Sequence, residues 1–170
     1  WNEPDESYTY KKTDYDKNGV YGCWGDPYYG DGLFGGTYYG QMLKEVYPAL
    51  KSASPDAQLV LGGLLLPSDP EVWTYKRPGD TWPYSDMSKF FEGVLVECQG
   101  TTCFDYVNYH GYTNYTTGTK GSFEMEIDPL QSQWAERGGQ VEGKLGYLQE
   151  LMDKYNVDKN QYLHKQLRDS

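Results

Sequence analysis

Basic residues are in short supply, with 15 Lys and Arg against 25 Asp and Glu and a formal net charge of -10 over 170 residues. A polyanion needs clustered cations to meet its phosphates, so this charge balance argues against a nucleic-acid partner. Long apolar runs are also missing. The most apolar stretch, Leu59 to Pro67, is short and interrupted by Gly62-Gly63. It falls well below the roughly 18 residues that span a bilayer, so no membrane partner is expected. Histidine is limited to His110 and His164, and no Gly-x-Ser-x-Gly elbow is present, which leaves little for a serine-hydrolase mechanism. Of three cysteines, Cys98 and Cys103 stand close enough to close a small loop and Cys23 is left over. A Cys98–Cys103 disulfide in an oxidising compartment is the preferred expectation, and three reduced thiols are the alternative.

Aromatic residues, by contrast, are plentiful. They make up 16% of the chain and include 18 Tyr and 5 Trp, set in a polar background with a mean hydropathy of -0.80. Such a composition suits sugar-facing surfaces, although most tyrosines are expected simply to fill half-buried positions. At 19.5 kDa the chain has the size of one domain, taken as residues 1–170.

Periodicity sets out an alternating order. From Thr37 to Ala53 the residues Tyr39, Met42, Leu43, Val46 and Leu50 recur at helical spacing, with Pro48 expected to kink the helix. Ser54-Pro55-Asp56-Ala57 makes a turn, and Gln58 to Gly63 reads as a buried strand ending in glycines. A helix capped by Ser85 runs to about Glu97, with Met87, Phe90, Phe91, Val94 and Leu95 on its apolar side. Phe104 to His110 reads as a second strand, and Gly111 to Gln140 as a long polar loop. Leu145, Leu148, Leu151, Met152 and Tyr155 mark a third helix, and Gln161 to His164 the start of a third strand. Strands alternating with crossover helices predict an α/β fold with a parallel sheet, whose post-strand loops gather on one face.

The chain opens with Trp1-Asn2-Glu3-Pro4-Asp5. Downstream stand Tyr39 with Gln41-Met42-Leu43-Lys44, the Pro55-Asp56-Ala57 turn, Gly62-Gly63, Phe104-Asp105 and His110-x-Tyr112. In this order and spacing they resemble the clan A glycoside hydrolases, secreted (β/α)8-barrel enzymes with the acid/base in an Asn-Glu-Pro sequence ending the fourth strand. The resemblance covers nearly the whole chain, from the end of strand four to about strand seven. It implies a partial TIM barrel, roughly half of the about 250 residues of a complete one. It implies retaining hydrolysis of β-linked polysaccharide, with Glu3 as proton donor, Asn2 on the sugar 2-hydroxyl, and His110 and Tyr112 lining the cleft. It also implies a secreted location, which a Cys98–Cys103 disulfide would match.

Glycoside cleavage needs one carboxylic acid to protonate the leaving oxygen and a second carboxylate to attack the anomeric carbon or activate water. Here the chain departs from the family, because Asn160 to Ser170, where the nucleophile is expected, contains no Glu. Glu124, Glu126 or a Glu from a second subunit are the substitutes. Uncovered barrel edges would be paired by another copy, so a homo-oligomer is expected. Trp1, Trp24, Tyr28, Tyr29, Trp73 and Trp82 fall where loops would meet carbohydrate, either stacking on sugar rings or packing the loops. No cofactor is required. Asp14, Asp16 and Asn18 match the first half of a calcium loop and could take Ca2+, or they form an Asp/Asn/Gly turn, since Gly25 replaces the closing Glu. Asn114-Tyr115-Thr116 is an N-glycosylation triplet. Three functions therefore stand open: a glycoside hydrolase, a non-catalytic carbohydrate-binding remnant, and a hydrolase of another class such as an esterase.

Overall fold

The computed structural model describes residues 3–5, 24–26, 30–66, 68–71, 87–99, 102–111, 134–157 and 163–166. Helix α1, Gly36–Ala53, runs on through Pro48. Its buried face is Gly36, Tyr39, Gly40 and Leu43, while Val46 stays 41% exposed. The apolar stripe is used only in the N-terminal half because that half meets α2, Phe90–Cys98. Glycine makes the contact possible: a Cβ on Gly36 would strike the Phe90 carbonyl, and one on Gly93 would strike the Gly36 backbone. Helix α2 buries Phe90, Phe91, Val94, Leu95 and Cys98, and a short 3-10 turn, Met87–Lys89, leads into it. Ser85, the expected cap, lies outside the described residues. Cys98 at the end of α2 is bonded to Cys103, with the Cα atoms 5.9 Å apart.

Three extended segments lie side by side, all parallel. Val60 pairs with Tyr106 and Leu64 with Tyr109. Strand β1, Val107–His110, then pairs with β2, Leu163–Gln166, in the register Val107 to Leu163 through His110 to Gln166. Four steps from Val60 to Leu64 face three from Tyr106 to Tyr109, so one extra residue is accommodated at Gly62-Gly63, as in a β-bulge. The connection from Leu64 to β1 contains α2, and that from β1 to β2 contains helix α3, Gln140–Lys154, as parallel neighbours require. At the N-terminal side of the sheet, Asp105 accepts hydrogen bonds from the Leu59 amide (2.7 Å) and the Tyr47 hydroxyl (2.9 Å) and pairs with Lys51, tying α1 to the strand entry.

Two features depart from the sequence expectation. The Gly111 to Gln140 loop contains Trp134, fully buried, and a 3-10 turn, Ala135–Arg137. Helix α3 starts at Gln140, more than a turn before Leu145, and Leu145 is itself 38% exposed. The inward stripe of α3 is Lys144, Tyr147, Leu148 and Leu151, with Met152 beside it. The core they complete also holds Phe34, Leu61, Leu64, Leu66, Phe104, Val107 and Tyr109.

Candidate functional site

Residues of β1 alternate between two environments. Tyr109 points to the helices, its hydroxyl donating to the Val141 carbonyl of α3 at 3.3 Å, so Asn108 and His110 share the opposite face. His110 ends the strand with its side chain only 4% exposed. Its ring lies against Gly63, where any Cβ would collide with the imidazole. The bulge glycine therefore serves as a seat for the ring.

Glu3 reaches this ring from the other side of the bulge. Its amide donates to the Gly63 carbonyl at 3.0 Å, and its Oε1 lies 2.7 Å from His110 Nδ1. With the carboxylate ionised, Nδ1 is the donor. The Glu3 side chain remains 17% exposed. Glu3 also has φ 50, a left-handed conformation that costs a non-glycine residue about 1–2 kcal/mol. Such outliers persist where neighbours over-determine the backbone, often at functional sites. Leu66, with φ 47, is a second case.

The over-determination comes from a buried set of polar bonds. Asp5 is fully buried. Its carboxylate accepts the Leu65 amide at 2.9 Å and the Leu66 amide at 3.0 Å. Burial pushes its carboxyl up to about 6, against the opposing pull of the Leu66 and Leu65 amides and Lys144. Lys144, 2% exposed, donates to the Leu65 carbonyl at 2.7 Å and to the His110 carbonyl at 3.0 Å. The Trp134 indole N–H donates to the Leu66 carbonyl at 3.0 Å. The peptide groups at residues 65 and 66 are thus held at both poles. Just beyond, Arg137 binds Asp69 (2.6 Å), Glu71 (2.9 Å) and Glu150 (2.7 Å), joining the same post-strand loop to α3.

No family model, curated protein or solved structure matches the chain.

Of the residues singled out in the sequence, the structure brings Glu3 and His110 into direct contact. Trp24 is half-buried and packs edge-on against Tyr39 of α1 with ring centroids 5.2 Å apart, which is the loop-packing alternative for that residue. Trp1, Asn2, Tyr28, Tyr29, Trp73, Trp82 and Tyr112 lie outside the described residues, as do Asp14, Asp16, Asn18, Cys23, Asn114, Glu124 and Glu126. Among the described residues no group of three or more His, Cys, Asp or Glu is placed to hold a metal ion, and no helix is long and apolar enough to cross a membrane.

Lys144, Trp134 and the role of Asp5 were not read from the sequence. A signal for Lys144 exists: it stands at positions 144, 147, 148 and 151 of a helical stripe whose other members are apolar. A lysine there must either snorkel out or find buried acceptors. Trp134 had no periodic context, being surrounded by polar residues.

Proposed function

We propose that this chain is a glycoside hydrolase-like protein that binds β-linked carbohydrate at the C-terminal ends of its parallel segments, with Glu3 as the proton-transferring carboxyl. On this reading the segments are an arc of a (β/α)8 barrel. The observation that supports it is the 2.7 Å contact between Glu3 and His110, two residues 107 positions apart, at the C-terminal end of β1. A partly exposed carboxyl oriented by an imidazole suits general acid/base work on a bound ligand. Asn108 Oδ1, on the His110 face, is buried with no hydrogen-bond partner among the described residues, an acceptor that a sugar hydroxyl or a water molecule would satisfy.

Turnover needs a second carboxylate. Asp5 stands two residues from Glu3 in the chain, and full burial with both oxygens engaged bars it from an anomeric carbon. Residues 160–170 contain no Glu, and this favours carbohydrate binding without efficient cleavage as the second reading. The Cys98–Cys103 bond supports export to an oxidising compartment. Pairing with a second copy belongs to the same proposal and predicts an oligomer by light scattering. Ca2+ at Asp14, Asp16 and Asn18 predicts a melting temperature that falls on chelation.

Affinity electrophoresis and reducing-sugar release over a panel of β-linked polysaccharides, with chromogenic esters alongside, test the function. At least one polysaccharide should retard the protein. Any cleavage should drop by about 100-fold or more in Glu3→Gln while retardation persists. Absence of both retardation and release across the panel removes the proposal. Ester cleavage unaffected by Glu3→Gln would replace it.

A further inference from the structure

We propose that Asp5 and Lys144 are positioning residues, a buried clamp that sets the geometry of Glu3 and His110. This rests on the reading of those two residues as the site, and it explains how the site holds an unfavourable backbone.

The clamp works through the peptide group that joins Leu65 to Leu66. Asp5 accepts from its N–H, that of Leu66, and Lys144 donates to its carbonyl, that of Leu65. Lys144 also takes the His110 carbonyl, so one ammonium spans the ends of two neighbouring segments. Asp5 lies two residues from Glu3 in the chain, and Glu3 is itself bonded to Gly63 through its amide. His110 donates its amide to Leu64 at 2.8 Å. The backbone bonds that Glu3 and His110 make to Gly63 and Leu64 thus meet in the stretch 63–66, which the clamp holds.

The two charges depend on each other. Lys144 is 2% exposed with two carbonyl acceptors, and Asp5 supplies the negative charge whose pull on it is felt in return. Protonating Asp5 removes that charge and, with the proton on Oδ1, leaves Oδ2 to accept the Leu65 and Leu66 amides in neutral rather than charge-assisted bonds. The other titratable groups in the network are His110 on β1 and Glu3 on the same segment as Asp5; residues 64–66 contribute only backbone. The state of Asp5 is thereby transmitted to the Glu3–His110 pair without Asp5 touching a ligand.

NMR of the unmodified protein tests this without carbohydrate. The amide signals of Leu65 and Leu66 report Asp5 directly, and the His110 ring nitrogens report the pair; with two histidines in the chain, His164→Gln assigns them. Expected is a component of change in the His110 ring nitrogen signals that shares its midpoint with both amides, near the value of about 6 for Asp5. That component should vanish in Asp5→Asn, and the His110 Nδ1 signal should lose its hydrogen-bonded position in Lys144→Met and keep it in Lys144→Arg. A His110 ring that titrates in a single step unrelated to the Leu65 and Leu66 amides overturns the clamp, whatever the variants do. That failure leaves the carbohydrate proposal standing. Conversely, co-titration together with no polysaccharide retardation removes the function and keeps the clamp.

Discussion

Replacing Asp5 by Asn and following stability against pH puts a number on the buried carboxyl. Asp5 is fully buried, and loss of water raises it from 3.8 to about 6 despite the Leu66 and Leu65 amides and Lys144. A native value above the unfolded one means that the folded protein binds the proton more tightly. The contribution of Asp5 is therefore complete below the unfolded value of 3.8 and is lost as pH rises through about 6. At about 1.4 kcal/mol per pH unit, the swing between these limits is about 3 kcal/mol. Asn cannot titrate, so subtracting the variant's stability from that of the unmodified protein cancels the other carboxylates. Urea unfolding followed by tryptophan fluorescence, at intervals from about pH 4 to pH 8, gives both curves. The difference should favour the unmodified protein by about 3 kcal/mol more at the acid end than at the alkaline end. A difference that is flat, or that shrinks on acidification, refutes the reasoning. It would mean that attraction to Lys144 outweighs the loss of water at Asp5.

Lys144→Met removes two buried hydrogen bonds and leaves Asp5 without its cation, at a cost of about 3–5 kcal/mol near pH 8. Since neutral Asp5 needs no counter-ion, urea unfolding at about pH 5 should show a smaller loss. Gly63→Ala drives a methyl group into the His110 ring. It should cost about 1–3 kcal/mol in urea unfolding and move the His110 ring nitrogen signals away from their Glu3-bonded positions. Cys98→Ser with Cys103→Ser opens a loop of sequence separation 5, worth about 2 kcal/mol in chain entropy. Calorimetry should record a fall in melting temperature of about 4–8 °C, and an unchanged value would show that the bond constrains nothing.

Much of the helical framework is legible in the sequence. Phe90, Phe91, Val94 and Leu95 read as the inner side of a helix and are buried in one. The strands at Val107 and Leu163 fall within a few residues of the aromatic and β-prone runs. Glu3 and His110 are both legible through the resemblance of Asn-Glu-Pro and His-x-Tyr to a glycosidase pattern. Hydrophobicity marks α3 through Leu148, Leu151 and Met152, which are buried, but at its start Leu145 is 38% exposed whereas Lys144 faces the core. The reason is electrostatic. A lysine is buried only where carbonyl acceptors and a carboxylate wait for it, and these come from residues 5, 65 and 110, far away in the chain.

The sequence by itself determined the alternation of helices and strands, through local periodicity and residue type, and pointed to Glu3 and His110 through the resemblance of their motifs. That Gly36 and Gly93 let α1 and α2 meet came only with the structure. Tertiary structure alone decided that Gly63 seats the His110 ring, that Val60 to Leu64 carries one residue more than its partner, and that Asp5 and Lys144 grip the Leu65–Leu66 peptide between them. Each of these depends on which backbone polar groups are left without a strand partner once the segments are laid side by side, a quantity that exists only when distant parts of the chain have met.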